Sequence, residues 1–280
     1  MSRPCLICRC VPSLPGSNVY ATGTTGSGGT FGNQVVSSGG GSDCALWKLN
    51  SQGTTEWALT GGGTAAEECH GVAVHAVNTV HTVIVTGFTS SDTATFGDIV
   101  LNPGAGSGIN SFLWKLSPDG TTLWAVLAGA GSSGYVKNYA VTVDGIEGNI
   151  YSAGTVSGSS ATFGGGVVST QLTGQYSFAH LWKVSAAGTT LSAASYGSKL
   201  GYNNGVHVDA TPVNSVAVVG SINNVDATFG DTVLASAGQK DYFLFKAVDS
   251  NSNAVDTVNG ECNCAQYIAA YGFGSSNLGN

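Results

Sequence analysis

The sequence predicts an all-β protein, on three observations. The heptad T-F-G-N-Q-V-V at Thr30–Val36 returns as T-F-G-D-I-V-L at Thr95, T-F-G-G-G-V-V at Thr162 and T-F-G-D-T-V-L at Thr228, a spacing of about 66 residues. A fixed period of this size marks repeated supersecondary units. Between these heptads lie runs of four to seven residues rich in β-branched and aromatic side chains, bounded by Gly, Asn, Asp or Ser, which are strand signals with turn punctuation. No stretch sustains a 3.6-residue apolar period, so helices are not expected.

Each element recurs in register. The first unit reads N-V-Y-A-T-G, the T-F-G heptad, D-C-A-L-W-K-L and T-T-E-W-A-L-T-G-G-G. The second gives T-V-I-V-T-G, S-F-L-W-K-L and T-T-L-W-A-V-L-A-G-A-G around its heptad. The third gives N-I-Y-S-A-G, F-A-H-L-W-K-V and T-T-L-S-A-A-S-Y-G-S, and the fourth S-V-A-V-V-G and Y-F-L-F-K-A. A leading alternating run precedes these at Gly71 (G-V-A-V-H-A-V), Tyr139 (Y-A-V-T-V-D-G) and Gly205 (G-V-H-V-D-A-T). Aligned beneath them, Leu6–Val11 supplies the leading strand of the first unit, and Gln266–Tyr271 the closing strand of the fourth, with Asp249–Cys264 inserted ahead of it. Four short antiparallel strands per unit describe propeller blades, near residues 5–65, 70–130, 138–198 and 204–273 of a single domain spanning 1–280. The expected architecture is a β-propeller of four four-stranded blades, either a closed small ring or four blades of a larger one.

The pattern G-V-A-V-H, V-I-V-T-G, S-F-L-W-K-L-S-P-D-G-T-T-L-W resembles the SBBP (seven-bladed β-propeller) repeats over nearly the whole chain. It departs from them in having four units and in its regular A-T-F-G insertion. The resemblance implies a propeller in an extracellular or surface protein and carries over no catalytic residue.

Composition narrows the function. Only 9% of the 280 residues are charged, 42% are apolar and 42 are glycine, with a net charge of −7. Nine Lys and Arg in all cannot form a phosphate-neutralising stripe, which argues against nucleic acid as a partner. No apolar run approaches the 18 or so residues of a membrane span. Met1–Gly16 shows no signal-peptide core, yet seven cysteines in a Gly/Ser/Thr-rich chain point to an oxidising, extracellular setting. Together these predict a segment of a longer secreted protein, or a chain without its true N-terminus.

Candidate sites are few. Phe31, Phe96, Phe163 and Phe229 are read as pinning the T-F-G excursion onto its own blade. Trp47, Trp114, Trp182 and Phe245 pack between blades, and the lysines that follow them, Lys48, Lys115, Lys183 and Lys246, snorkel to a nearby acceptor. The leading strands supply the binding candidates. Arg9, His75, Asp144 and Asp209 are taken as equivalent, with His207 two residues earlier, in a column lining the central channel. Carboxylates with imidazole could hold a metal or act as acid and base; the competing reading makes the aspartates turn-bonding residues. G-A-G-S-G at Gly104–Gly108 has no helix behind it and is not a nucleophile elbow.

Cys5, Cys10, Cys44, Cys69, Cys262 and Cys264 are read as disulfide candidates rather than zinc ligands, with one thiol (Cys8 completes the seven) left over. No catalytic residue, metal or cofactor is assigned. The expected function is a non-enzymatic extracellular structural or interaction protein whose partners are other protein subunits, in a surface assembly or filament. The alternative is a lectin-like or glycosidase-like propeller that takes a glycan at the channel mouth.

Overall fold

The computed structural model describes residues 9–12, 18–77, 80–106, 108–132, 134–164, 166–169, 177–196, 207–211, 215–222, 226–229, 232–235 and 241–248. Among them there is no helix, and the strands form several antiparallel sheets, none closed on itself. The first unit holds β1 (Arg9–Pro12), β2 (Val19–Thr25), β3 (Gly29–Phe31), β4 (Gln34–Val36), β5 (Asp43–Leu49) and β6 (Thr55–Gly63). The second holds β7 (Glu67–Val77), β8 (Val80–Thr89), β9 (Ala94–Phe96), β10 (Ile99–Leu101), β11 (Asn110–Leu116) and β12 (Thr122–Gly129). The third holds β13 (Tyr135–Val143), β14 (Ile150–Ser157), β15 (Ala161–Phe163), β16 (Val167–Ser169), β17 (Ser177–Val184) and β18 (Thr190–Tyr196). The fourth holds β19 (His207–Thr211), β20 (Ser215–Ile222), β21 (Ala227–Phe229), β22 (Thr232–Leu234) and β23 (Asp241–Val248). Its expected closing strand, Gln266–Tyr271, lies outside the described residues.

The meander expected of each unit is present: β1-β2-β5-β6, β7-β8-β11-β12, β13-β14-β17-β18 and β19-β20-β23. The T-F-G excursion is a small hairpin, and in the second and third units it is lent to the unit before it. Hairpin β9–β10 adds to the outer edge of β6, with Gly62 opposite Thr95 and Gly63 opposite Ala94. Hairpin β15–β16 adds to β12 through Ala128–Phe163 and Gly129–Thr162, extended by Gly164 N–H donating to Leu127 O at 2.9 Å. The two meanders thereby become six-stranded sheets. Gly63 allows this close approach, because a Cβ there would overlap Thr93 O, which leads into β9, while a Cβ at Gly62 would overlap the buried carboxylates of Asp43 and Glu67.

In the first three units the T-F-G is also tied back to its own unit. The glycine turns at positive φ (60° at Gly32 and Gly97, 21° at Gly164), against Thr55, Thr122 and Thr190 respectively. The indole of the same unit's tryptophan donates to that threonine: Trp47 to Thr55 at 3.0 Å, Trp114 to Thr122 at 2.9 Å and Trp182 to Thr190 at 3.0 Å. The phenylalanine packs on that tryptophan, with centroids at 5.7, 5.2 and 5.6 Å. Phe96 in addition lies over Gly61 of the preceding unit, where a Cβ would collide with its ring. The phenylalanine is thus a pin between two units, where the sequence suggested one.

The core is the set of seams between units. Phe96, Phe112, Trp114 and Leu116 of the second unit cluster with Tyr20, Leu46, Trp57 and Leu59 of the first. Phe163, Phe178, Trp182 and Val184 of the third meet Ile84, Leu113, Trp124 and Val126 of the second. Ala227, Val216, Val218 and Phe243 of the fourth meet Tyr151, Leu181, Ala194 and Tyr196 of the third. With apolar residues on both faces, a strand such as β11 is buried throughout, as a sheet between two sheets must be.

Candidate functional site

The leading strands do not form the column that alignment suggested. Their ladders place His75 opposite Thr82, and Asp144 one step beyond the Val143–Ile150 pair, so these two are equivalent. Arg9 opposite Thr22 and His207 opposite Val219 instead match Gly71 opposite Thr86. Asp209, opposite Ala217, matches Ala73 opposite Ile84. The cause is turn length: six residues separate β1 from β2, and two separate β7 from β8. The side chains of Arg9, Asp209 and His207 lie outside the described residues.

The structure does bring His75 to the turn that follows β13, where its ring lies against Gly148. Asp144 organises this turn. Its Oδ1 accepts from Ile146, Glu147 and Gly148 N–H at 3.1, 2.6 and 3.0 Å, and its Oδ2 accepts from Asn149 N–H at 3.1 Å. A carboxylate that accepts four backbone donors is held in place as the scaffold of a turn. Burial, then the Lys115 charge, lower the pKa of His75 against the opposing pull of Asp144. Its Nε2 is buried and meets no hydrogen-bond partner among the described residues. Nowhere among those residues do three His, Cys, Asp or Glu side chains converge as metal ligands.

Polar chemistry concentrates at the seams. Lys48 Nζ and Trp57 Nε1 both donate to Pro118 O in the next unit, at 2.7 and 3.1 Å. One seam further on, Lys115 Nζ and Trp124 Nε1 donate to Ala186 O at 2.8 and 3.1 Å. Each lysine also lies over the tryptophan ring, at 5.9 and 5.8 Å from its centroid, and Lys48 pairs with Glu56 at 2.7 Å. Lys48 and Lys115 are thus bolts between units. Burial holds the Lys115 pKa below the usual lysine range.

Cys44 on β5 and Cys69 on β7 form a disulfide with their Cα atoms 5.0 Å apart, which makes the first seam covalent. Cys5, Cys8, Cys262 and Cys264 lie outside the described residues, as does the side chain of Cys10. The place of this disulfide is taken at the second seam by a polar network. Asn138, the ladder equivalent of Cys69, donates through Nδ2 to Thr86 Oγ1 at 2.9 Å, and Thr86 donates to Phe112 O at 2.9 Å. Asn138 Oδ1 therefore accepts from His180 Nε2 at 2.8 Å, which fixes the imidazole as the Nε2–H tautomer. No sequence signal singled out His180, because it replaces the apolar Phe112 of the second unit at the corresponding point of the third strand.

Full burial depresses the His180 pKa to about 3. The unfolded chain, with an ordinary histidine near 6.5, binds a proton that the folded chain refuses. Stability should fall as pH drops from about 6.5 toward 3, by up to ~1.4 kcal/mol per pH unit from this group. Urea unfolding of the protein and of His180→Gln between pH 7 and 5 checks this. The difference in slope between the two belongs to His180, and equal slopes would contradict its assignment.

In comparisons with known proteins, the chain matches no family model, and no curated protein matches it.

Proposed function

We propose that the protein is a non-enzymatic structural subunit, a four-bladed β-propeller of the extracellular space that assembles with other protein subunits through the outer edges of its blades. The carrying observation is a row of bare valines. Val35 on β4, Val100 on β10 and Val233 on β22 occupy one repeated position, and are 80%, 53% and 60% exposed. Each stands on the outer strand of a T-F-G hairpin, whose far edge has no ladder partner among the described residues. Leu123 and Leu191 add half-exposed apolar surface along the outer meander strands β12 and β18. Repeated apolar residues on open edge strands favour edge-to-edge pairing, and sparse charge does little to oppose it.

The Cys44–Cys69 disulfide supports an oxidising compartment. Asp144 is occupied by its own turn, which favours the structural reading over a glycan site at the strand ends. The four-unit repeat and its resemblance to SBBP blades support the ring.

Analytical ultracentrifugation tests the proposal. The protein should sediment as concentration-dependent assemblies, and the triple variant Val35→Lys, Val100→Lys, Val233→Lys should sediment as a folded monomer. A wild-type chain that stays monomeric at high concentration would end this reading.

A further inference from the structure

The first two seams are built by three repeated devices, and the first unit displays the receiving half of all three with no partner in them among the described residues. A hairpin edge pairs with the preceding unit's outer strand: β9 on β6, β15 on β12. The corresponding strand β3 pairs only with β4. The hairpin phenylalanine and the third-strand tryptophan and aliphatic residue are buried by the preceding unit, as Phe96, Trp114 and Leu116 are, and as Phe163, Trp182 and Val184 are. Their counterparts Phe31, Trp47 and Leu49 are only half-buried. The tight turn between third and fourth strands is capped by the preceding unit's tryptophan. Trp57 stands 3.4 Å from a Cβ built at Gly120, and Trp124 stands 3.0 Å from one at Gly188. Around Gly53 there is open space, and Ser51 O, which corresponds to Pro118 O and Ala186 O, receives no such lysine–tryptophan pair among the described residues.

This face is already formed. Hairpin β3–β4 is paired, Phe31 packs edge-on against Trp47 at 5.7 Å, and Asn50 closes the turn with Asn50 N–H to Thr54 O at 2.9 Å and Gly53 N–H to Asn50 O at 3.0 Å. Its ligand is defined by what fills the other seams: a lysine on a third strand, an aromatic donor at the position of Trp57, and a glycine five residues beyond that aromatic. Gly62 follows Trp57 by five, and Gly129 follows Trp124 by five; these glycines lie opposite Thr95 and Thr162.

We infer, resting on the ring proposed above, that this face is the docking site for the segment Ala265–Gly274 of the same chain. The fourth unit has Lys246 opposite Ala217 on its ladder, the position of Lys48 opposite Tyr20 and Lys115 opposite Ile84. Beyond it the sequence offers Tyr267, whose hydroxyl can donate as the indoles do, and Gly272 five residues later. Thr30 is then the partner of Gly272, Phe31 is covered, and Ser51 O accepts from Lys246 and Tyr267. Beyond Val248, the last described residue, the sequence has 32 residues from which that strand can come. A tethered segment meets its site at an effective concentration in the millimolar range, which a second copy does not match in dilute solution.

The inference concerns a different surface from the outer valines, so its test is read on the monomer. The full chain carrying Thr30→p-benzoylphenylalanine is irradiated at low micromolar concentration, and the monomer and dimer bands are digested and analysed by mass spectrometry. A cross-link within the monomer band between position 30 and a peptide containing 265–274 is the expected result. Cross-links in the dimer band would assign the face to a second copy and overturn the inference while leaving assembly intact. Cross-links elsewhere, or none, would overturn it as well. Hydrogen exchange on the unsubstituted chain gives a reading free of the variant. Protection across 29–36 should equal that across 94–101, and markedly faster exchange at 29–36 would contradict docking.

Discussion

Replacing Phe96 with alanine is expected to lower the unfolding free energy by about 3–5 kcal/mol, the range for removing a fully buried phenylalanine. Its ring is completely enclosed, tilted against Phe112 at 4.4 Å and Trp114 at 5.2 Å, and seated over Gly61 of the unit before. Gly61 has no side chain to move into the void, and β9 is held by its ladder to β6, so the cavity cannot collapse. Phe163→Ala should behave alike, since that ring is equally buried between Trp182 and the edge of β12. Val100→Ala, on the exposed strand of the same hairpin, should change stability by less than ~0.5 kcal/mol. Equilibrium unfolding in urea measures all three. A small loss at both phenylalanines would show that the hairpins lie on the sheets without fastening them.

Breaking the Cys44–Cys69 bond has the next largest expected effect. The cysteines are 25 residues apart in sequence, and closing a loop of that size restrains the unfolded chain by roughly 3–4 kcal/mol in the chain-entropy description. Both side chains are buried between β5 and β7, so the reduced thiols keep their packing and the loss belongs to the cross-link. Cys44→Ala with Cys69→Ala should lower the melting temperature by several degrees, and a reducing agent should reproduce most of that shift in the wild type. If a reducing agent changes nothing while a chelator lowers the melting temperature, the cysteines bind metal instead.

The repeat made the strands legible, because period-two runs between glycine-rich turns recur four times at one spacing. The alternation of Trp and Lys along the third strand also showed which residues share a face, though not that the tryptophan faces the preceding unit and the lysine the following one. That assignment depends on how neighbouring units stack, which no local pattern encodes. For the same reason sequence adjacency alone places the T-F-G hairpin on its own blade. It is adjacent in sequence to β2 and β5, yet its ladder partner is β6 or β12 of the unit before. The sequence carries a partial signal in Gly61 and Gly63, where a side chain would collide with Phe96 of the joining hairpin and with Thr93 O leading into it.

The leading strands were misaligned where the sequence similarity was weakest. Cysteine-rich β1 and its long turn allowed a slide of four residues against β7, and period-two patterns tolerate an even slip without changing face. Asp144 was legible as a turn residue from the D-G that follows a strand run, and its four backbone donors account for that choice of side chain. His180 was not legible, because a histidine inside an apolar strand gives no sign that Asn138, 42 residues away, will be its partner.

The central claim is that the units are not complete alone, since the first two sheets are each finished by a hairpin from the next unit and each core is shared across a seam. Differential scanning calorimetry tests this most directly. A single transition whose calorimetric and van't Hoff enthalpies agree is the expected result for one interleaved body. Several separate transitions, or a calorimetric enthalpy several times the van't Hoff value, would mean that the units melt independently and would contradict the account.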